Sequence, residues 1–320
     1  MSKTMRPNAR HCVPVAGLLT RCVMMRPAVT AIVLSVAILA PHALRAQGSG
    51  REDLEFKWSK QMSAGGTLVI RNPSGPITVR QASGDRIEVH AVKNVRTRGR
   101  AEDVAFDVEE TASQIEVCAL FGRQASCRDR GTGSNNIRVS VSFTVLVPKS
   151  MRLRASTGSG EINIERAGAD VSASTGSGEI NIGETNGRVD ASTGSGAVHV
   201  DGANGPVKVT TGSGSVFVMT ARGDVEASTG SGDIDVRIRS LPIERDMKFS
   251  TGSGSLRIGL PAAFAGRIDA TSGNGSLRSD FEISIMGRLD AHHVRGTIGN
   301  GNGPLIRLTT GNGLIELRKN

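Results

Sequence analysis

The chain has 320 residues, with 39 Lys and Arg, 30 Asp and Glu, one Trp and no Tyr, and this length fits one elongated domain or two compact ones. The formal charge of +9 overstates the basic character, because six basic residues lie within residues 1–46 and leave 33 basic against 30 acidic residues beyond them. Since the chain has no basic cluster and few stacking aromatic side chains, we expect no nucleic acid as a partner.

Residues 1–46 have the pattern of a secretory signal peptide. Met25-Arg26 gives a basic start, residues 28–40 are apolar, and Leu44-Arg45-Ala46 ends on a small residue. The apolar run is shorter than the roughly 20 residues that cross a bilayer, so we expect no membrane span in the mature chain. The prediction is export to the periplasm, the cell envelope or the exterior, with cleavage after Ala46. A signal that begins at Met24 or Met25 is already complete, so the residues before it are interpreted as an upstream extension.

The polar residues 47–63 are predicted to form a flexible linker. Residues 64–152 are predicted to hold a first coil and a strand-rich cap. Residues 68–80 alternate apolar and polar side chains in the same pattern as later repeats, and further alternating strands follow up to Val147. A cap of this kind would cover an open sheet edge, which otherwise pairs with other chains.

Two cysteines, Cys118 and Cys127, remain after the leader removes Cys12 and Cys22. An even pair in an exported protein predicts a disulfide that closes a local loop. The alternative is a metal-binding pair, but no His or carboxylate stands beside them at zinc spacing.

Residues 153–320 consist of repeats of 18 residues at first and of 17 to 22 later. Apolar residues recur four and two positions before a reference Thr and five positions after it, which gives each unit two short strands of period two. The reference position is occupied by Thr157, Thr175, Thr193, Thr211, Thr229, Thr251, Ser272, His293 and Thr310. Units of this size that cannot bury an apolar face alone stack on one another.

Glycine recurs three residues after the reference position in every unit. A position that never carries a Cβ predicts a turn with positive φ or a close backbone approach. These structural turn glycines are Gly160, Gly178, Gly196, Gly214, Gly232, Gly254, Gly275, Gly296 and Gly313. A phosphate-binding loop is not favoured, because such a loop occurs once and leads into a helix.

Two outward columns complete the repeat. The charged column alternates in sign through five consecutive units, Asp190, Lys208, Glu226, Lys248 and Asp269. This is expected if successive coils lie side by side in parallel strands. The second column is a hydroxyl ladder and a possible contact surface, formed by Ser156, Ser174, Ser192, Thr210, Ser228 and Ser250. The predicted fold is therefore an all-β, parallel β-solenoid of about nine to ten coils with an N-terminal strand-rich cap.

No catalytic, cofactor-binding or metal-binding residues are predicted. Glu161 and Glu179 would stack one coil apart, but the column continues with Ala197, so no carboxylate cluster forms for acid–base chemistry. His292 and His293 are adjacent and would point to opposite faces of a strand. The turns carry Ser or Asn in most units, whereas calcium-binding β-rolls need Asp at a fixed place.

Three segments carry a resemblance to a known family: residues 66–70 (Gly-Thr-Leu-Val-Ile), residues 145–148 (Val-Leu-Val-Pro) and the closing residues 305–313. Together with the serial Ser-Thr-Gly-Ser-Gly units, they resemble the bacterial β-strand-repeat domains called putative adhesins, over roughly residues 64–320. The resemblance implies a β-helix-like fold in the envelope or outside the cell, and it brings no functional residues to map. Val294 and the His292-His293 pair depart from the repeat.

The preferred interpretation is a non-catalytic adhesin or binding module that uses an extended face of the solenoid. Its partner would be a glycan or another envelope surface. The main alternative is a structural envelope scaffold that self-associates, and the third is a β-helix enzyme that acts on polysaccharide.

Overall fold

The structure is a computed structural model that describes residues 54–62, 64–129, 137–220, 224–241, 245–286 and 292–320. The predicted signal peptide lies outside these residues. The described residues form strands and one 3-10 turn, Ala101–Asp103. Among them, no helix is long and apolar enough to cross a membrane. The all-β solenoid prediction is confirmed.

The strands follow in chain order. They are β1 (Glu55–Gln61), β2 (Thr67–Ser74), β3 (Ile77–Gln81), β4 (Arg86–Val95), β5 (Val104–Glu110), β6 (Gln114–Phe121), β7 (Val139–Val147), β8 (Arg152–Ser159), β9 (Ile162–Ala167), β10 (Val171–Ser177), β11 (Ile180–Thr185), β12 (Val189–Ser195), β13 (Val198–Ala203), β14 (Val207–Ser213), β15 (Val216–Thr220), β16 (Val225–Ser231), β17 (Ile234–Ile238), β18 (Met247–Ser253), β19 (Leu256–Leu260), β20 (Gly266–Asn274), β21 (Leu277–Ser279), β22 (Ile283–Ile285), β23 (His293–Ile298), β24 (Leu305–Asn312) and β25 (Ile315–Lys319).

The strands form two sheets that face each other across the apolar core. Sheet A has the order β1-β4-β7-β3-β9-β11-β13-β15-β17-β19-β25-β21, and sheet B has the order β22-β23-β20-β24-β18-β16-β14-β12-β10-β8-β2-β6-β5. Each middle coil gives one strand to each sheet. The inward columns are fully buried, for example Val189 and Ala191 in sheet B and Val198 and Val200 in sheet A. Period-two alternation therefore divides core from surface along each strand.

From β8 to β19 the coils stack in chain order and in parallel register. Val189 lies beside Val171 on one side and Val207 on the other. The reference Thr faces inward at the corner, where its hydroxyl hydrogen-bonds the glycine carbonyl of the preceding coil. One example is Thr193 Oγ1 to Gly178 O at 3.0 Å. This bond satisfies a polar side chain that would otherwise be costly to bury.

At the N-terminal end, spatial order departs from chain order. The β2–β3 coil has two neighbours in the stack: β8–β9 on one side and β6–β7 on the other. β5 then pairs antiparallel with β6, and β4 and β1 pair antiparallel beyond β7. The prediction of a flexible linker over residues 47–63 is wrong for residues 55–61, which form β1. Phe56 and Trp58 alternate with polar residues there and pack against the core, and the Phe56 ring stacks on Phe106 with centroids 4.7 Å apart.

At the C-terminal end, the last coil, β24 and β25, lies between β18–β19 and β20–β21. The expected position of His293 as the reference residue of a parallel coil is wrong, because β23 pairs antiparallel with β20. The expected charge alternation therefore stops at Lys248. Lys248 is paired across the strands with Arg307, a second cation, rather than with Asp269. Asp269 is paired with Arg307 from the other side.

Candidate functional site: the outer faces of the solenoid

Two independent constraints require glycine at the corner positions. Seven of the nine have φ between +141° and +156°, a region that side chains rarely adopt. A Cβ on Gly196 would also lie 2.0 Å from the Gly178 carbonyl oxygen. Gly275 lacks the positive φ but has the same close approach, 2.0 Å to Gly313 O. The prediction of a turn at Gly296 is wrong, because Gly296 lies within antiparallel β23, opposite Ile268.

The outer face of sheet B carries the hydroxyl ladder. The strand register brings its six members side by side, and the ladder continues through Thr309 and Thr271. Most members are half-buried by their neighbours, and Thr210 is exposed. Beside the ladder, Lys208 Nζ lies 3.2 Å from Glu226 Oε2, with both side chains about half exposed. A pair this exposed contributes little stability. At the N-terminal end of this face, a shallow pocket of about 280 Å³ is lined by Arg71, Cys118 and the ladder residue Ser156 among others.

The outer face of sheet A presents a different surface. One continuous register joins directly opposed residues of successive strands. We call it the neutral row, because it contains no carboxylate, ammonium or guanidinium group: Thr144, Thr78, Asn163, Asn181, His199 and Phe217. Beyond Phe217 the same register continues with the charged residues Asp235, Arg257 and Glu316. The repeat offset puts Thr78 in the same sequence column as Asn163, but only the spatial order of the N-terminal coils sets Thr78 beside Asn163 and adds Thr144 to the row.

Phe217 is a half-buried aromatic side chain on this outer face. The His199 ring lies on one side, with centroids 6.1 Å apart. The Arg237 guanidinium lies 5.8 Å from the Phe217 ring centroid on the next strand. The spacing is that of a cation–π contact. These two neighbours fix the position of the ring.

The carboxylates on the face of sheet A are engaged by neighbouring side chains. Asn181 Nδ2 donates to Glu161 Oε1 at 3.1 Å, and His199 Nε2 lies 3.4 Å from Glu179 Oε1. The Ser255 backbone N–H donates to Asp233 and, with Arg257, lowers the pKa of that carboxyl despite partial desolvation. A general acid needs a raised pKa, and Asp233 shows the opposite shift.

A groove of about 570 Å³ lies at the N-terminal end of the same face. We call it the cap groove. Its lining comes from four strands and consists of Lys57, Trp58, Ser59, Arg80, Glu88, Val89, His90, Thr144 and Leu146. Lys57 pairs with Glu55 at 2.8 Å and Arg80 with Glu165 at 2.8 Å, so these cations are already neutralised. Thr144 belongs both to the groove and to the neutral row, which makes the two surfaces continuous.

Cys118 and Cys127 form a disulfide, with Cα atoms 5.6 Å apart. Asp107 places a carboxylate oxygen within 4.8 Å of both sulfur atoms. Only a thiolate is a good metal ligand, and these sulfurs are bonded to each other, so the trio is not a metal site in this state.

His293 Nε2 lies 2.8 Å from Asp269 Oδ1, and Arg295 and Arg307 approach the same carboxylate at 3.6 and 3.8 Å. Partial burial alone would raise the pKa of Asp269, but the hydrogen bond from His293 and the nearby positive charges together lower it. This cluster joins β20, β23 and β24 and is explained by holding the end of sheet B together.

The fold and these faces define a class, an all-β solenoid of parallel strand repeats with closed ends. The Toastrack DUF4097 family model matches residues 66–318, and the chain belongs to this family. The family resemblance drawn from the sequence motifs is thereby confirmed.

Three solved bacterial structures are similar to the chain at low identity. One is a putative cell adhesion protein from Clostridium sporogenes, with 10% identity over 83% of this chain and 99% of that chain, TM-score 0.25. A putative adhesin from Bacteroides fragilis shares 11% over 82% and 96%, TM-score 0.30. A putative adhesin from Parabacteroides merdae shares 11% over 84% and 97%, TM-score 0.36. No curated protein gives a significant match.

Proposed function

We propose that the protein is an exported, non-catalytic binding module of the cell envelope or cell surface, with an outer face of the solenoid as its contact area. The signal-peptide pattern of residues 1–46 supports export. The observation that carries the binding function is the in-register arrangement of outward side chains, as in the row from Thr144 to Phe217. Strands about 4.8 Å apart repeat one contact along the axis, which suits an extended ligand or surface.

The carboxylates of sheet A support a non-catalytic role. Glu161 and Glu179 are engaged by Asn181 and His199. The pKa of Asp233 is lowered rather than raised. A glycosidase needs two carboxyl groups with opposed protonation states across one bond, and Asp233 shows the shift opposite to that of a general acid.

The test combines localisation with binding. Cell fractionation should recover the mature protein from the periplasm, the envelope or the medium, with its new N-terminus at Gln47. The purified protein should co-sediment with isolated envelope or with intact cells in a saturable manner. Recovery of an uncleaved chain from the cytoplasm, or the absence of saturable binding, would contradict the proposal.

Light scattering at high protein concentration separates this function from the scaffold alternative. A binding module is expected to remain a monodisperse rod as concentration rises. Concentration-dependent growth into long assemblies, without binding to envelope material, would favour the scaffold instead.

A further inference from the structure

We propose that the neutral row of sheet A, opening into the cap groove, is the binding track for an uncharged linear glycan, with Phe217 as its aromatic contact. This inference rests on the proposed binding function and names the face and the ligand class. It differs from the sequence prediction, which placed the possible contact surface on the hydroxyl ladder of sheet B.

The dimensions of the row suit an extended polymer. Its six members occupy adjacent strands, from β7 through β3, β9, β11 and β13 to β15. Five strand spacings of about 4.8 Å give a track of roughly 24 Å. Thr144 continues the track into the cap groove, whose concave surface can enclose one end of a chain that otherwise lies on a flat sheet.

The chemistry of the row favours hydroxyl groups over charged groups. A Thr hydroxyl and an Asn amide each both donate and accept hydrogen bonds, as sugar hydroxyls do. Arg80, a cation that flanks the row, is paired with Glu165. The carboxylates of Glu161 and Glu179 lie beside the row and contact its members Asn181 and His199. An acidic polymer would therefore have to lose hydration without gaining a free cation. A neutral polyhydroxyl chain meets no such cost.

Phe217 supplies the apolar contact. The equivalent positions in neighbouring coils are polar, namely Asn181, His199 and Asp235, so the coil itself does not require an aromatic side chain there. His199 and Arg237 hold the ring from two sides, and a ring already fixed loses little entropy on binding. Packing the C–H face of a sugar ring on Phe217 removes apolar area from water.

A protein partner fits this row less well. Cores of protein interfaces are enriched in apolar and aromatic residues, whereas the row has one apolar ring among five polar side chains.

The experiment measures binding of the purified mature protein to soluble neutral polysaccharides, namely dextran, galactomannan and xyloglucan, with polygalacturonate as the acidic comparison. Affinity gel electrophoresis screens the panel, and titration calorimetry gives the affinities. We expect binding to at least one neutral polymer. Phe217→Ala should weaken it about tenfold, which corresponds to about 1.4 kcal/mol, and Asn181→Ala should weaken it to a smaller extent. Phe217→Trp should retain it.

Thr210→Ala is the matched control, because Thr210 is exposed on β14 of the same coil but lies on sheet B. Its affinity should equal that of the unmodified protein, and all variants should keep the same melting temperature. The inference is overturned if only the acidic polymer binds, or if Thr210→Ala loses binding while Phe217→Ala keeps it. If envelope binding is saturable but no neutral polymer binds, this inference fails and the proposed function stands; if neither binds, both fail.

Discussion

In the middle of the solenoid, from β8 to β19, strands that follow one another along the chain also lie next to each other, whereas at both ends the chain order and the spatial order differ. The C-terminal coil lies inside the stack, and β20 to β23 close that end. At the N-terminal end, β5, β4 and β1 form the antiparallel edges. The middle is therefore stabilised by repetition between nearest neighbours, while each end depends on contacts between segments distant in sequence.

At both ends, phenylalanine rings contact one another, an arrangement not found among the described residues of the middle coils. Phe56 stacks on Phe106, which meets Phe143 edge-on at 6.0 Å. Phe264 and Phe281 make a T-shaped contact at 6.4 Å at the other end. These rings cover the open ends of the core, which a stack of identical coils would leave exposed to water.

Removal of residues 305–320 should produce the largest effect. It deletes β24 and β25, which bury Ile306, Leu308, Ile315 and Leu317, each contributing about 1.5 to 3 kcal/mol. Because this coil lies inside the stack, β20 to β23 should lose their partner and exchange amide hydrogens rapidly by mass spectrometry. Removal of residues 54–62 deletes the edge strand β1 at the other end of the stack and should leave β20 to β23 protected. Full protection of β20 to β23 in the shorter chain would refute the observed coil order.

Substitution at a middle corner should come next. Gly196→Ala places a methyl group 2.0 Å from a carbonyl oxygen at φ +145°, and we expect a loss of about 2 to 4 kcal/mol in the free energy of unfolding. Gly202→Ala in the same coil is the control, because its Cβ would meet a Glu184 side-chain carbon at 3.3 Å and its φ is not positive. Urea denaturation measures both. Equal losses would mean that the corner geometry is not the cause.

Loss of the disulfide should affect the N-terminal end alone. Replacing both Cys118 and Cys127 with Ser opens a loop of about ten residues, for which chain entropy predicts a cost of about 2 to 3 kcal/mol. Hydrogen exchange should rise in β5 and β6 and stay unchanged in β10 to β17. The reduced native protein serves as the control and should behave like the double variant. A uniform rise along the whole stack would instead show that the end and the middle unfold together.

The smallest effect concerns acid pH. Because the folded-state pKa of Asp269 is lowered, its contribution is present above its ordinary value near 3.9 and is lost as pH falls below about 4. The Asp269→Asn variant should therefore lose less free energy of unfolding than the unmodified protein between neutral and acid pH, by about 1 kcal/mol or less.

Salt should separate Asp269 from Asp233. The largest cause of the lowered pKa of Asp233 is a backbone hydrogen bond from Ser255. Added salt should therefore weaken the contribution of Asp269 more than that of Asp233, and the reverse order, measured by thermal melting, would contradict this assignment.

Much of this fold follows from local patterns. The alternation of Val189 and Ala191 with polar residues predicts a half-buried strand, and the invariant glycine predicts the corner. The charged column also predicts the parallel register of Asp190, Lys208 and Glu226, because opposite charges in register are favourable. These signals depend only on neighbours within one or two repeats.

The ends could not be predicted in the same way. The repeat pattern places His293 and Gly296 in the eighth repeat of residues 153–320, yet β23 runs antiparallel to β20. Period-two alternation is the same in either strand direction, so sequence periodicity does not distinguish a parallel strand from an antiparallel one. The sequence also predicts a linker where residues 55–61 form β1. Phe56 and Trp58 alternate with polar residues there, but two apolar side chains among Lys57, Ser59 and Lys60 are a weak strand signal.

The sequence by itself determined the coil, its inward columns and its corners, since each of these arises from contacts that recur at a fixed spacing. Only the tertiary structure decided which coils are neighbours at the ends. The order of the coils at the N-terminal end aligns Thr144 and Thr78 in one row with four residues of the following coils, Asn163, Asn181, His199 and Phe217. Such a row depends on the pairing of strands far apart in the chain, which is set by closure of the core and not by local propensity.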